Sequence, residues 1–252
     1  MGSELLLELK DIEAGYGRAA LVLRGLSVAV PAGTIVCLVG PNGAGKSTVL
    51  KVASGLLKPR AGQVLVEGKD VTGYRPQQML AAGVAHVLQG HSVFPEMTVE
   101  ENVRLGGYTL RDRRVIAERV EFVKELFPVV AERWNTLAGL LSGGQQKQVE
   151  FARSLMMSPK VVLLDEPSMG LDPKSTATVF EQVVRMRDAG TAVLLVEQNA
   201  RRALENADIG CVLDLGTVYI QGPAPQLLAD SQLSELYLGG RPAEPYTPKG
   251  QR

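Results

Sequence analysis

Short apolar runs alternate with segments of helical pattern along most of this chain. Leu5, Leu7 and Leu9 alternate with other residues, and an apolar run follows at 26–30, so two strands are predicted near the N-terminus. Further mostly apolar runs predict strands at 35–39, 63–66, 84–87, 161–164, 193–196, 209–213 and 218–221. Helical patterns are found at 46–54, 175–187, 200–206 and 224–238. Strands that alternate with helices predict an α/β protein whose sheet is mostly parallel and covered on both faces.

The middle and the end of the chain have a different pattern. From Thr98 to about Phe127, charged residues surround apolar positions at helical spacing, which predicts a helical subdomain at about 90–157 within the α/β core. The segment 241–252 contains three prolines and no apolar period, which predicts a disordered tail. We therefore expect one domain over residues 1–240.

Composition and charge narrow the class of protein. Hydrophobic residues make up 45% of the chain and charged residues 21%, as in ordinary globular proteins. The 27 basic residues balance the 27 acidic ones, so net charge gives no argument for a nucleic-acid partner. Cys37 and Cys211 lie far apart in apolar runs, which indicates buried, reduced thiols. No apolar run reaches the roughly 18–20 residues of a membrane span, and the start lacks a signal-peptide pattern, so a soluble cytoplasmic protein is expected.

A glycine-rich loop lies between the strand predicted at 35–39 and the helix predicted at 46–54. It satisfies the pattern G-x-x-x-x-G-K-[ST] with Gly40, Pro41, Asn42, Gly43, Ala44, Gly45, Lys46, Ser47 and Thr48. The glycines let several backbone N–H groups point at one anion, and the helix N-terminus adds positive charge. Lys46 can reach the β- and γ-phosphates, while the Ser47 hydroxyl can coordinate Mg²⁺. A plain turn is the alternative, but the strand–loop–helix order favours an ATP site.

Two adjacent carboxylates follow another buried strand. The run at 161–164 delivers Asp165 and Glu166 at its carboxyl end, where ligands bind in open α/β sheets. We expect Asp165 to hold the metal through water and Glu166 to activate the water that attacks the γ-phosphate. The two residues could simply end a strand before Pro167, but the presence of the glycine-rich loop at 40–48 favours the catalytic interpretation.

A pair of adjacent glycines precedes a helical segment at 145–157. The residues are Leu141, Ser142, Gly143, Gly144 and Gln145. Backbone N–H groups at a helix N-terminus bind anions, so the chain carries a second predicted phosphate site. One nucleotide has little use for two such sites in one chain. A head-to-tail dimer, in which this site closes over the ATP of the other subunit, does use both.

With these elements in this order, the sequence resembles the nucleotide-binding subunits of ABC transporters, from Leu5 to Gly240. The resemblance implies a P-loop NTPase core with a mostly parallel sheet, an N-terminal antiparallel β-subdomain and an inserted α-helical subdomain. It implies that Tyr16 stacks on adenine. It also implies that Gln89 contacts Mg²⁺ and the attacking water and links to the membrane partner. The resemblance also implies that the segment 168–172 is the D-loop, which touches the opposite subunit.

One position departs from the family pattern. Gln198 occupies the place where most of the family has a histidine that senses the γ-phosphate. An amide can donate and accept hydrogen bonds but cannot become a cation. The Glu-Gln-Asn at 197–199, with segments 94–102, 125–128 and 237–240, resembles the ATPases of branched-chain amino-acid importers. Importers of urea or short amides share these features, so the sequence does not identify the transported solute.

The resemblance implies an ATPase that powers a separate integral-membrane permease. It would work with a second ATPase subunit, identical or related, on the inner face of the cell membrane. The alternative is an ABC ATPase of DNA maintenance, but the segment between Lys46 and Ser142 carries neither the heptads nor the cysteine cluster of those relatives. A non-hydrolysing regulator would be expected to lack Glu166 or the glycine pair.

Overall fold

The computed structural model describes residues 4–17, 20–90 and 92–230. Its strands are β1 (Leu5–Ala14), β2 (Leu23–Pro31), β3 (Ile35–Val39), β4 (Ala61–Val66), β5 (Lys69–Asp70), β6 (Val84–Val87), β7 (Val161–Asp165), β8 (Ala192–Val196), β9 (Ile209–Asp214) and β10 (Thr217–Pro223). Its α-helices are α1 (Lys46–Ala53), α2 (Pro76–Ala81), α3 (Val99–Leu105), α4 (Arg113–Leu126), α5 (Pro128–Glu132), α6 (Gly143–Leu155), α7 (Pro173–Asp188), α8 (Ala200–Glu205) and α9 (Ala224–Ala229). A short 3-10 helix covers Ala138–Leu140.

The central sheet has the strand order β10-β9-β3-β8-β7-β6. Neighbouring strands from β9 to β6 are parallel, and only β10 runs antiparallel to its neighbour β9. Every residue of β3, β7 and β8 is buried, as their continuous apolar runs predict. The prediction of a mostly parallel sheet is therefore confirmed.

A second, antiparallel sheet has the order β2-β1-β4-β5, which confirms the predicted β-subdomain. Alternate residues of the central strands pack into two different cores. Ile35, Cys37 and Val39 face the helices α3 to α9, whereas Val36 and Leu38 face α1 and the antiparallel sheet. The central sheet is therefore a middle layer that is buried on both faces.

The two cysteines lie on opposite faces of the central sheet, Cys37 in the core beside the helices and Cys211 in the other. Both are free and buried, as expected. Burial raises the pKa of each thiol to about 12, so neither is a reactive thiolate at neutral pH.

The segment from Thr98 to Phe127 is helical, as predicted, but it is not one continuous helix. It divides into α3 and α4, with an interruption between Leu105 and Arg113. Gly106 ends α3, and a Cβ atom there would lie 2.0 Å from the carbonyl oxygen of Arg153. The backbones of α3 and α6 meet at this point, so tertiary packing and the Asp112 N-cap of α4 set the break.

The other differences between the predicted and the observed elements concern where elements end and short elements that were not predicted. The helices α2 and α5 are absent from the predicted elements, and β2 begins earlier than the apolar run at 26–30. The helix predicted at 224–238 ends at Ala229, and residues 231–252, with the predicted tail, lie outside the described residues. Within the described ranges, no helix has the length and apolar character needed to cross a membrane.

Candidate functional site

The carboxyl ends of three adjacent central strands bring the predicted site residues together. The glycine-rich loop follows β3, Asp165 ends β7, and Glu197 follows β8. Asp165 is the register partner of Val196, so the ends of β7 and β8 lie side by side. Residues far apart in the sequence therefore share one edge of the sheet, where open α/β sheets bind ligands.

Two glycines of the loop are required by geometry. Gly40 has φ +157° and Gly45 has φ +105°. A Cβ atom on Gly40 would lie 2.3 Å from the carbonyl oxygen of Leu213, and one on Gly45 would lie 2.7 Å from Leu23 Cδ2. The loop can take this curled shape against its neighbours only without side chains at these two positions.

Lys46 is buried at the start of α1 and folds back over the loop. Its Nζ donates to the carbonyl oxygens of Gly40 at 2.7 Å and Pro41 at 3.1 Å. Burial lowers the pKa of Lys46, and the nearby Glu166 and Asp165 carboxylates oppose that shift. The ammonium group thus lies directly beside the glycine-rich loop, where an anion would meet it.

Ser47 and Asp165 place two oxygen ligands side by side. The Ser47 hydroxyl donates to Asp165 Oδ1 at 3.2 Å. Burial raises the pKa of Asp165, while the Ser47 hydrogen bond lowers it. A hydroxyl and a carboxylate are hard oxygen ligands, which suit Mg²⁺ held jointly by protein and phosphates. The residues present therefore fit the predicted metal.

The raised pKa of Asp165 affects the thermal stability of the protein. The folded state binds the proton of Asp165 more tightly than the unfolded state does, so the ionised group costs stability at neutral pH. We expect Asp165→Asn to raise the melting temperature of the nucleotide-free protein at neutral pH. The gain should shrink as pH falls through the raised pKa towards the usual range of an aspartate.

Thermal unfolding followed by circular dichroism at several pH values measures this effect. The control is Asp214→Asn, because Asp214 is exposed at the end of β9. Equal melting temperatures for wild type and Asp165→Asn at neutral pH would contradict the prediction.

Glu166 adopts an unusual backbone conformation. Its φ is +47°, in the left-handed region that non-glycine residues rarely occupy, and it precedes Pro167. Its N–H donates to the carbonyl oxygen of Val196 at 2.9 Å, which holds the turn. Residues in such conformations persist only where the surrounding structure enforces them, and they occur frequently at functional sites.

Gln89 contacts the Glu166 side chain. Its Nε2 donates to Glu166 Oε2 at 2.9 Å and lies 3.1 Å from Met169 Sδ. Gln89 follows β6, and two strands, β8 and β7, lie between β6 and the β3 strand that the glycine-rich loop follows, so the contact bridges separate parts of the chain. Gln89, which is predicted to contact the attacking water, is thus hydrogen-bonded to Glu166, which is predicted to activate that water.

Tyr16 lies beside the helix that follows the loop. Its hydroxyl is 3.3 Å from Thr48 Oγ1 and accepts a hydrogen bond from Lys51 Nζ at 3.2 Å. The residue is 46% exposed. An aromatic ring fixed through its polar end, with much of its surface open, can offer a face to a planar base.

The pair of adjacent glycines begins α6. Ser142 caps this helix by accepting from the N–H of Gln145 at 3.4 Å, and Gln145 Oε1 accepts from the N–H of Ser142 at 3.0 Å. Gly143 is the first helical residue. A Cβ atom on Gly144 would lie 2.9 Å from Ser175 Cβ, so Gly144 also allows α6 to pack closely on α7.

Gln198 is exposed and follows Glu197 directly after β8. With Glu166 and Ser168 it borders an open cavity of about 760 Å³. The structure therefore brings Gln198 to the edge of the sheet that holds the other predicted residues.

Glu197 was not among the predicted site residues. This carboxylate is only 3% exposed and accepts from the N–H groups of Ser168 at 3.0 Å and Gln198 at 3.3 Å. Burial raises its pKa, and these hydrogen bonds oppose the shift. Glu197 thus joins the loop after β7 to the loop after β8. An acid at the end of an apolar strand, the pattern that indicated Asp165 and Glu166, could have revealed it.

A glycine-rich phosphate loop after the central parallel strand β3, with carboxylates at the carboxyl end of β7 on the same edge of the sheet, defines a P-loop NTPase. The family model described as ABC transporter matches residues 23–169, more than half of the chain. The chain belongs to the ABC transporter family and is one of its ATP-binding, ATP-hydrolysing subunits.

Relatives and solved structures agree with this assignment. The chain is 38% identical over 235 residues to the high-affinity branched-chain amino acid transport ATP-binding protein BraG of Pseudomonas aeruginosa, covering 93% of this chain and 100% of BraG. It is 34% identical to the lipopolysaccharide export system ATP-binding protein LptB of Acidithiobacillus ferridurans, covering 93% and 97% of the two chains. A crystal structure of the ADP conformation of an ABC transporter cassette matches with a TM-score of 0.84 and 29% identity, covering 94% of this chain and 99% of that one.

Proposed function

We propose that this chain powers an importer of branched-chain amino acids, or of a related small solute such as urea or a short amide. Its ATPase domain spans residues 1–240 and associates with the inner face of the cell membrane through an integral-membrane permease. The observation that carries the proposal is the 38% identity to BraG over nearly the full length of both chains. The Glu-Gln-Asn segment at 197–199 supports it further.

The geometry supports a direct hydrolysis of ATP. Tyr16 stacks on adenine, the loop N–H groups and Lys46 bind the β- and γ-phosphates, and Glu166 accepts a proton from the attacking water. The water oxygen forms a bond to the γ-phosphorus as the bond to the ADP oxygen breaks. Ser47, Asp165 and Gln89 would hold Mg²⁺, which supplies charge neutralisation on the phosphates.

Gln198 would orient the γ-phosphate and the water through hydrogen bonds. Gln198→Ala removes these bonds, a loss of about 1–3 kcal/mol, so ATP turnover should fall roughly 5- to 150-fold. Gln198→His should keep activity, because imidazole also offers a donor and an acceptor. ATP turnover measured with the permease present makes the comparison. Undiminished turnover in Gln198→Ala would remove this residue from the site.

Two subunits would bind ATP head to tail. The P-loop follows β3, whereas the pair of adjacent glycines begins α6 in the helical segment, so each chain offers two phosphate-binding helix ends. Ser142, Gly143, Gly144 and Gln145 would contact the ATP bound by the other subunit. The support is this duplication of phosphate sites within one chain.

Ser142→Arg tests the dimer. The bulky cation should block ATP-driven dimerisation while leaving ATP binding by the monomer intact. Because Ser142 also caps α6, a matched control is Thr98→Arg, which removes the equivalent capping box of α3. Light scattering of both variants in a Glu166→Gln background with ATP gives the measurement. Dimers that form equally in both would contradict the model.

The transport function is tested by co-purifying the membrane subunits and reconstituting them in vesicles. We expect leucine, isoleucine or valine, presented with the required binding component, to stimulate ATP turnover and enter the vesicles. Urea and short amides serve as the second set of solutes. Stimulation by neither set, or co-purification with a lipopolysaccharide-binding membrane complex, would overturn the proposed solute class.

A further inference from the structure

A buried ion pair on α6 lies outside the residues assigned so far. Lys147 Nζ and Glu150 Oε2 are 2.5 Å apart, and their side chains are only 4% and 0% exposed. Burying two charges costs more than their mutual attraction returns unless further hydrogen bonds satisfy them. The partners of this pair therefore indicate what it holds in place.

Both charged groups bind the backbone of the segment that follows β6. Lys147 Nζ donates to the carbonyl oxygen of Gly90 at 2.8 Å, and Glu150 Oε1 accepts from the N–H of Ser92 at 2.5 Å. One turn further along α6, the guanidinium of Arg153 donates to Ser92 Oγ at 2.6 Å. Residues spaced by three positions share a helix face, so one face of α6 holds this segment.

The segment that follows β6 is also connected to Glu166, the candidate catalytic carboxylate, through a hydrogen bond. Gln89 precedes Gly90, and its amide is hydrogen-bonded to Glu166. Ser142, which belongs to the second predicted phosphate site, is the N-cap of the same α6. A continuous set of contacts therefore runs from α6, through Gly90 and Gln89, to Glu166.

We propose that Lys147 and Glu150 are positioning residues, which hold Gly90 and Ser92 on α6 and so keep Gln89 against Glu166. The proposal rests on the proposed roles of Glu166 and Gln89 in ATP hydrolysis. An apolar pair in the same space would support the packing of α6 but could not bind the polar backbone of the segment. Geometry at Glu166 would then be lost while the fold is kept.

The first test replaces both charges by apolar residues of similar size, Lys147→Met with Glu150→Leu. Replacing a buried ion pair in this way is often neutral for stability, so the protein should fold. We expect kcat for ATP to fall about 10- to 100-fold, the effect of misplacing a catalytic group by about 1 Å. The KM for ATP should change less than about 2-fold, because the P-loop is untouched. Amide exchange resolved by residue should become faster at Ser92.

A second variant separates the hydrogen bonds to the segment after β6 from the ion pair itself. Exchanging the two residues, Lys147→Glu with Glu150→Lys, keeps two opposite charges one turn apart. The carboxylate at position 147 cannot donate to Gly90, and the ammonium at position 150 cannot accept from Ser92. We expect the same loss of kcat and faster exchange. The variant Lys147→Met with Glu150→Gln keeps an acceptor for the Ser92 N–H without an unpaired buried ammonium group, and Ser92 should keep its slow exchange.

The control is Lys124→Gln with Glu121→Gln, an ion pair of the same spacing on α4, which should leave both readouts unchanged. Wild-type kcat in the apolar or exchanged variant, or unchanged exchange at Ser92, would overturn the proposal. A wild-type protein without ATP turnover would instead count against the proposed function, and Ser92 exchange would still decide whether α6 holds the segment.

Discussion

Glu166→Gln should bind ATP and almost cease to hydrolyse it. The amide keeps the size of the side chain and its contact with Gln89, but it cannot accept a proton from water. Loss of a general base lowers the rate by about 10²- to 10⁴-fold. Because Glu166 is not part of the glycine-rich loop, ATP affinity should change little.

Phosphate release under single-turnover conditions and nucleotide binding by fluorescence separate these two effects. A suitable control is Glu205→Gln, since Glu205 borders the same cavity and its carboxylate pairs with Arg201 on the surface of α8. Glu205→Gln should hydrolyse ATP at the wild-type rate. If Glu166→Gln does so as well, the assignment of the base is wrong.

Lys46→Ala should act on binding rather than on the chemical step. It removes the ammonium group beside the loop, and a charge-assisted hydrogen bond contributes about 1.5–3 kcal/mol. The dissociation constant for ATP should therefore rise about 10- to 150-fold. Isothermal titration of the monomer with ATP makes the measurement.

The matched control for this variant is Lys160→Ala. Lys160 precedes β7, at the end of the strand away from Asp165, and pairs with Glu67 on the surface. Its removal should leave ATP affinity unchanged. An unaltered ATP affinity in Lys46→Ala would mean that the loop N–H groups alone bind the phosphates.

Much of the fold follows from local pattern. The fully apolar runs of β3, β7 and β8 predict buried parallel strands, and the structure confirms them because a sheet covered on both faces requires apolar residues at every position. The segment from Thr98 to about Phe127 is helical, as predicted, but the helical pattern does not reveal that the segment divides into α3 and α4 after Leu105. The Asp112 N-cap is a local signal for this break, but the close approach of Gly106 to the carbonyl oxygen of Arg153 depends on tertiary packing.

The sequence by itself determined the kind of protein this is, because the P-loop is a local strand–loop–helix unit whose residue types are dictated by phosphate chemistry. The same holds for the carboxylates at the end of an apolar strand and the glycine pair before α6. Only the tertiary structure decided that Gln89 rests on Glu166 and that Glu197 joins two loops. It also decided that Lys147 and Glu150 form hydrogen bonds with the backbone after β6. These contacts join residues from separate elements, so they depend on how strands and helices pack in three dimensions rather than on any spacing along the chain.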